Sequence, residues 1–345
     1  AERLCLADRA ACAGAGHRYV AVQIGREAEG GGGLAVDEHW GMCVPEACGE
    51  RAVLELLLPP AVGAGVYATV ERTHEWGEVP VDFVLAGFAK CGTSTLAANL
   101  HRHPRIAMAR CDLAEECEYA VWSIEHELDF LPTASIMREV DVAFAAPGAS
   151  SGALRGVKDS RVLMNERAVA RLSAIPRVRV VVVLRDPIDA IEAEYNAAEC
   201  WRVLSIVEMV QRGASDCVGS SSWESWSQQL ERLLRVVPRE SIHLVHLTSL
   251  ADQHEQLAAY NRILRFLGVP EEELFRDGQH FVVRNVRKGV QELDLCSPAQ
   301  GDVLGSLRAL LASEYARLAE LFAAVEGAVP PALTQRLTRC DITGL

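Results

Sequence analysis

From residue 79 onward, short apolar runs alternate with amphipathic stretches. Val81–Ala86, Val178–Leu184 and Ile242–Leu247 are compact, valine- and leucine-rich, and nearly unbroken. That is how strands buried on both faces of a parallel sheet read. Helices are expected at 94–102, 164–174, 188–198, 222–236, 254–267 and 302–324. In the last of these, Leu304, Leu307, Leu311, Tyr315 and Leu318 recur at i, i+3, i+4 spacing and predict a core-facing stripe. Strand–helix alternation of this kind predicts a three-layer α/β fold around a central parallel sheet. No internal repeat is visible.

Residues 1–78 read differently and are expected to form a separate cysteine-containing N-terminal extension to a domain spanning 79–345. Gly30 to Gly33 predict a flexible, exposed loop. A short helical run, Glu50 to Leu58, ends at Pro59-Pro60. Cys5, Cys12, Cys43 and Cys48 cluster in this part, a density that suggests a disulfide-permissive compartment. Zinc is the rival reading, but Cys5-x6-Cys12 and Cys43-x4-Cys48 fit common zinc knuckles poorly. With 11 cysteines in all, at least one is unpaired within the chain.

A chain of 345 residues, half of them hydrophobic, can bury a large core. No apolar run approaches the ~20 residues that cross a bilayer. The first residue is Ala1, so a processed form or fragment is expected, and membrane association only through an anchor lying outside this chain. The net charge of −13 argues against nucleic acid as a partner. It leaves room for an anionic substrate on a local basic track. Of 34 basic residues only Lys90, Lys158 and Lys288 are lysine. Where arginine has replaced lysine almost everywhere, the survivors are candidates for sites that need a compact point charge.

The chemistry concentrates in Val81 to Ile106. The strand breaks at Gly87, and Lys90-Cys91-Gly92-Thr93-Ser94-Thr95 opens a helical pattern carrying Leu96 and Leu100. Strand, glycine-bearing turn and helix start together aim backbone N–H groups and a helix dipole at one spot, which suits phosphate or sulfate. Nucleotide triphosphatase loops place lysine after the second glycine. Lys90 precedes Gly92 by two residues, so that reading fails. The order K-x-G-T-[ST]-x-L, followed by His103-Pro104-Arg105-Ile106, resembles the 5'-phosphosulfate loop of the sulfotransferases, and with it a P-loop-like fold. These enzymes use 3'-phosphoadenosine 5'-phosphosulfate (PAPS).

Other segments carry the same resemblance. Arg179–Tyr195 is similar to the family's 3'-phosphate motif, VLR[ND]P-x-[DE], with Arg185 as the phosphate ligand and Tyr195 ten residues later. It departs at Ala193, where the family has serine as a second ligand; either a neighbour replaces it or cofactor binding is weakened. Lys158-Asp159-Ser160 resembles the segment whose lysine reaches the sulfate. Glu116, within Arg110–Tyr119, falls at the catalytic glutamate of the carbohydrate-modifying branch, although Glu115 replaces a lysine there. His103 and His126 are the fallback bases. Trp223, Trp226, Val237-Pro238-Arg239-Glu240 and Phe266-Leu267-Gly268 resemble a further block of the family. Arg287, Lys288 and Gly289 resemble the late basic loop that closes over the nucleotide. Separately, Trp40 to Cys48 is similar to the extracellular segment of nose-resistant-to-fluoxetine proteins and supports a luminal setting.

The resemblance implies a PAPS-dependent sulfotransferase of the secretory pathway, in the Golgi lumen, acting on a hydroxyl- or amine-bearing acceptor such as a glycan. Lys90, Glu116 and Lys158 would be catalytic. Lys90, Cys91, Gly92, Thr93, Ser94, Thr95, Arg185, Arg287, Lys288 and Gly289 would bind the cofactor, with no metal required. A non-catalytic PAPS-binding protein of the same fold, or a P-loop kinase, are the alternatives.

Overall fold

The computed structural model describes residues 17–27, 34–45, 66–72, 76–88, 90–109, 144, 152–160, 162–212, 225–271, 281 and 293–341. Chain contacts divide it into two units, with the second beginning at Val81. The first contains an antiparallel sheet of β1 (His17–Glu27), β2 (Leu34–Pro45) and β3 (Val66–Arg72), in the order β2-β1-β3. β1 pairs along its whole length with β2, with a register shift between Ile24 and Gly25. These strands were not expected. The tetraglycine loop and the Glu50–Leu58 run lie outside the described residues.

The second unit is a five-stranded parallel sheet flanked by helices. Its strands are β4 (Phe83–Gly87), β5 (Ile106–Met108), β6 (Leu154–Lys158), β7 (Arg179–Leu184) and β8 (Ile242–His246), ordered β5-β6-β4-β7-β8. The helices are α1 (Thr93–His101), α2 (Glu166–Ala174), α3 (Pro187–Ala197), α4 (Ile206–Arg212), α5 (Trp226–Val236), α6 (Leu247–Ala251), α7 (Gln256–Leu267), α8 (Gly301–Leu310), α9 (Ala312–Glu326) and α10 (Pro331–Thr334). This is the three-layer α/β architecture the alternation predicts. β4 and β8 are buried throughout, as is β7 beyond Arg179. Their apolar runs are legible because central parallel strands are covered on both faces.

In this unit β5, β6 and the last long helix differ from expectation. β5 and β6 carry too little text: one is three residues long, and the other reads Leu-Arg-Gly-Val-Lys. The long helix over 302–324 is two helices that meet at Leu311, whose φ −94 and ψ 6 open the last turn of α8. Leu307, Tyr315 and Leu318 are buried as the stripe requires, whereas Leu304 and Leu311 are half-buried.

Gly156 explains how β6 sits beside β4. It pairs with Phe83, and a Cβ on it would lie 2.1 Å from Phe83 Cζ. The fully buried Phe83 ring therefore occupies the volume that a side chain on β6 would need. Gly156→Ala is expected to destabilise by about 1–3 kcal/mol or more through overpacking. Gly305→Ala, on α8 with nothing within 4 Å of the added Cβ, is expected to stabilise by about 0.5–1 kcal/mol. Thermal unfolding of both variants checks the pair of signs.

Candidate functional site

β4 runs out at Gly87, and the chain turns sharply into α1. A Cβ at Gly87 would stand 2.9 Å from the Val183 carbonyl oxygen and 2.8 Å from Thr93 Cγ2, so β7 and the first residue of α1 both close on this point. In the turn, Lys90 (φ 61) and Gly92 (φ 85) are left-handed. For lysine this backbone is uncommon. Gly92 is needed twice over, because any Cβ there would also meet Leu247 Cδ1 at 2.7 Å. Gly92 caps α1 without a side-chain hydrogen bond. The N–H groups at the start of Thr93-Ser94-Thr95 therefore face the turn together with the positive end of the helix dipole. Cys91 lies inside the turn, fully buried, and burial pushes its thiol up to about 12. It fills space and is not a nucleophile.

Two cations from neighbouring strands reach this turn. Lys158 ends β6, is 3% exposed, and donates from Nζ to Ser94 Oγ at 2.9 Å. Arg185 follows β7 directly and donates from Nη1 to the Lys90 carbonyl oxygen at 2.9 Å. The parallel register that sets Gly87 against Val183 brings Arg185 to the same sheet edge. The carboxyl edge of an open α/β sheet is the usual ligand crevice. The structure thus gathers Lys90, Cys91, Gly92, Thr93, Ser94, Thr95, Lys158 and Arg185 around one turn, with the Lys90 side chain exposed.

Other expected residues fall elsewhere. Glu116 and the rest of Arg110–Tyr119, His126, Trp223, Arg287, Lys288 and Gly289 lie outside the described residues. His103 is not placed to act as a base. Its Nδ1 accepts from the Arg105 N–H at 3.1 Å and its Nε2 donates to the Pro270 carbonyl oxygen at 3.0 Å, so it closes the chain after α1. Tyr195 is structural too, donating its hydroxyl to the Leu204 carbonyl oxygen at 2.7 Å. Ala193 sits on α3 with no polar side-chain atom to offer.

The motifs do not mark the buried polar groups behind Arg185. Asp186 caps α3 by accepting from the Asp189 N–H at 2.9 Å, and also accepts from the Tyr315 hydroxyl. Burial, reinforced by the Asp189 carboxylate, pushes Asp186 up to about 7 against the pull of these hydrogen bonds. Burial likewise raises Asp189 to about 6, opposed by Arg185. His246 ends β8 beside Leu184. It is 1% exposed, and burial followed by the Arg185 charge lowers it to about 4, so it is neutral at pH 7. A signal existed in its register, one residue back from Arg185 on the adjacent strand. Among the described residues no cluster of His, Cys, Asp and Glu is arranged to hold a metal ion.

The family model of the sulfotransferase domain matches residues 80–292. The chain belongs to the sulfotransferase family. No curated protein sequence matches it. Among solved structures, it is similar to a sulfotransferase from Alicyclobacillus acidocaldarius, with 21% identity and TM-score 0.51 over 74% of this chain and 98% of that one. A mouse sulfotransferase, SULT7A1, complexed with PAP is 14% identical, with TM-score 0.40 over 68% of this chain and 88% of that one. At 21% identity the likeness to the Alicyclobacillus protein is one of fold. It is the family model that assigns this sulfotransferase its class, and the site geometry stands independently of both.

The Asp186 environment makes a pH prediction. Its folded pKa, about 7, lies above the ordinary 3.8. Its contribution to stability is therefore full below pH ~3.8 and lost as pH rises through ~7. Asn at this position keeps an N-cap acceptor without the charge. The Tm of Asp186→Asn minus that of wild type should rise by about 2–6 °C between pH 4.5 and 8. A flat difference in calorimetric scans would contradict the raised pKa.

Proposed function

We propose that this sulfotransferase moves the sulfuryl group of PAPS to a hydroxyl or amine acceptor, most favourably on a carbohydrate. The observation that carries the reading is the convergence of Lys158 on Ser94 and of Arg185 on Lys90 at one helix-start turn. A doubly anionic nucleotide needs two separated cationic grips, and these strands supply them. The N–H groups at the Gly92–Thr95 helix start and the nearby hydroxyls suit a phosphosulfate. A guanidinium at the end of β7 suits a phosphate, which it can grip through two N–H bonds. Ala193 leaves this grip to Arg185 without help from the serine usual at that position.

When bound, PAPS supplies an activated sulfuryl group and a bisphosphate leaving group. Sulfuryl transfer, like phosphoryl transfer, proceeds through a loose in-line transition state, so the protein's work is positioning and charge stabilisation. Lys158, held by Ser94, and Lys90 place positive charge where negative charge gathers on the leaving oxygen. Arg185 fixes the far end of the nucleotide. Glu116 is the proposed base for the acceptor proton, a role typically worth about 10²–10⁴ in rate. The disulfide between Cys296 and Cys340, and a disulfide-bonded Cys200, support a luminal site of action in the secretory pathway. No helix among the described residues is long and apolar enough to cross a membrane.

Transfer of labelled sulfate from PAPS to a panel of glycans, tyrosine peptides and small alcohols tests the reading. Sulfated glycan is the expected product, identified by mass spectrometry. Lys158→Ala should lower kcat by about 10²–10³. Arg185→Ala should weaken adenosine 3',5'-bisphosphate binding roughly 10- to 100-fold, while affecting AMP much less. Tight binding of the bisphosphate with no transfer to any acceptor would favour a non-catalytic binding protein instead.

A further inference from the structure

One face of α3 carries an unusual buried stripe: Asp186 at its cap, then Asp189, Glu192 and Asn196, between 2% and 8% exposed. Buried carboxyl and amide groups require partners. On this face the partners come from the C-terminal part of the chain. Tyr315 donates to Asp186, as described. The Arg339 backbone N–H donates to Asp189 Oδ2 at 2.9 Å. The Arg339 guanidinium grips Glu192 with both prongs, Nε to Oε2 at 3.1 Å and Nη2 to Oε1 at 2.8 Å, and Nη2 also reaches Asp294 Oδ1 at 2.6 Å. The Leu295 N–H donates to Glu192 Oε1 at 2.8 Å. Asn196 exchanges two hydrogen bonds with the Leu293 backbone, at 2.8 and 3.1 Å.

Two short segments, 293–296 and 338–341, thus lie along the helix whose first turn follows Arg185. They are joined to each other by the Cys296–Cys340 disulfide. Residue 339 sits one position before the second cysteine, and Leu295 one before the first. The crosslink therefore holds both donors to Glu192 in place. Asp341 tightens the second segment by accepting from the Thr338 N–H at 2.9 Å and from its hydroxyl at 3.0 Å. Asp189 is the point where this strap meets the site. It takes the Arg339 N–H on one oxygen, its own N–H is held by Asp186, and its charge faces Arg185.

We propose that Arg339, with the disulfide-closed strap around it, is a positioning residue that fixes the start of α3 and so aims Arg185 at the 3'-phosphate. The strap sets selectivity for a 3'-phosphorylated nucleotide and touches no substrate. This rests on the PAPS reading above. Arg339 suits the task because its planar fork holds Glu192 in one orientation, which a lysine cannot do. A displacement of about 1 Å can cost roughly 10²-fold in rate, and misaligning a two-bond guanidinium–phosphate grip weakens binding in the same direction.

The test compares affinities for adenosine 3',5'-bisphosphate and AMP by titration calorimetry on the full chain. The two ligands share the 5'-phosphate and differ in the 3'-phosphate. Arg339→Gln should lower the bisphosphate-to-AMP affinity ratio by about tenfold or more, with AMP affinity changed less than about threefold. Arg339→Lys should fall between, and Cys296→Ser with Cys340→Ser should reproduce part of the loss. Should Arg339→Gln not fold, Arg339→Lys and the cysteine pair carry the same comparison. An unchanged ratio in folded variants, or equal losses for both ligands alongside a lower Tm, overturns the inference and reduces the strap to a structural role. If the wild-type protein itself fails to prefer the bisphosphate, the PAPS reading falls and takes the strap's selectivity with it, an outcome visible before any variant is made.

Discussion

The hydrogen bond from Arg185 to the Lys90 carbonyl oxygen ties the ends of β4 and β7 together, and most of the site depends on it. It requires a backbone carbonyl turned toward the neighbouring strand, which the left-handed backbone at Lys90 and Gly92 provides. It also requires the two strands to end in register, which the ladder from Phe83–Arg179 to Gly87–Val183 provides. Positive φ at a lysine is a cost of order 1–3 kcal/mol that a surrounding structure must offset. Here the offset comes from burial: Phe83 through Phe88, Cys91 and the whole of β7 beyond Arg179 are packed in the core. The apolar sheet holds a strained turn in place, and the turn presents its lysine side chain to solvent.

That arrangement creates a second demand. An arginine at the edge of a largely apolar sheet needs counter-charges that do not quench it. Asp186 and Asp189 sit immediately behind it, yet their carboxylates are committed to the helix cap, Tyr315 and the Arg339 N–H. Burial holds both above the ordinary aspartate range. His246, which a higher pKa would make a competing cation, is kept neutral by burial and by the arginine itself. The net effect is a guanidinium oriented from behind by dipoles and shielded carboxyls and anchored in front on the Lys90 carbonyl oxygen.

Legibility from sequence followed the same physics. Strands buried on both faces announce themselves as apolar runs, so β4, β7 and β8 were readable, and the Lys90–Thr95 turn and Arg185 were readable because they stand where those runs break. β6 was not, although Lys158 at its end was. Its strand is disguised by Gly156, which is glycine because Phe83 fills the space opposite. The stripe on α3 was invisible for a different reason. Asp, Asp, Glu and Asn at helical spacing ordinarily mark a solvated face, and only the distant pairing with Tyr315, Arg339, Leu293 and Leu295 makes it a buried one. The His103 fallback failed likewise, since a histidine beside proline carries no sign of whether its ring serves chemistry or the backbone.

The lysine bias acquires a physical meaning once the site is built. Arg185 and Arg339 both work as forks, one toward a carbonyl and open solvent, the other across Glu192 and Asp294. Lys158 works differently. It is buried to 3% exposure at a strand end, where its compact ammonium donates to Ser94 Oγ at the start of α1. A planar five-donor group is bulkier and needs each of its buried donors satisfied, whereas an ammonium brings three rotatable ones. Lysine stands at the buried strand end, where a compact point charge fits. Arginine stands at 339, where the carboxylates of Glu192 and Asp294 lie side by side for its fork.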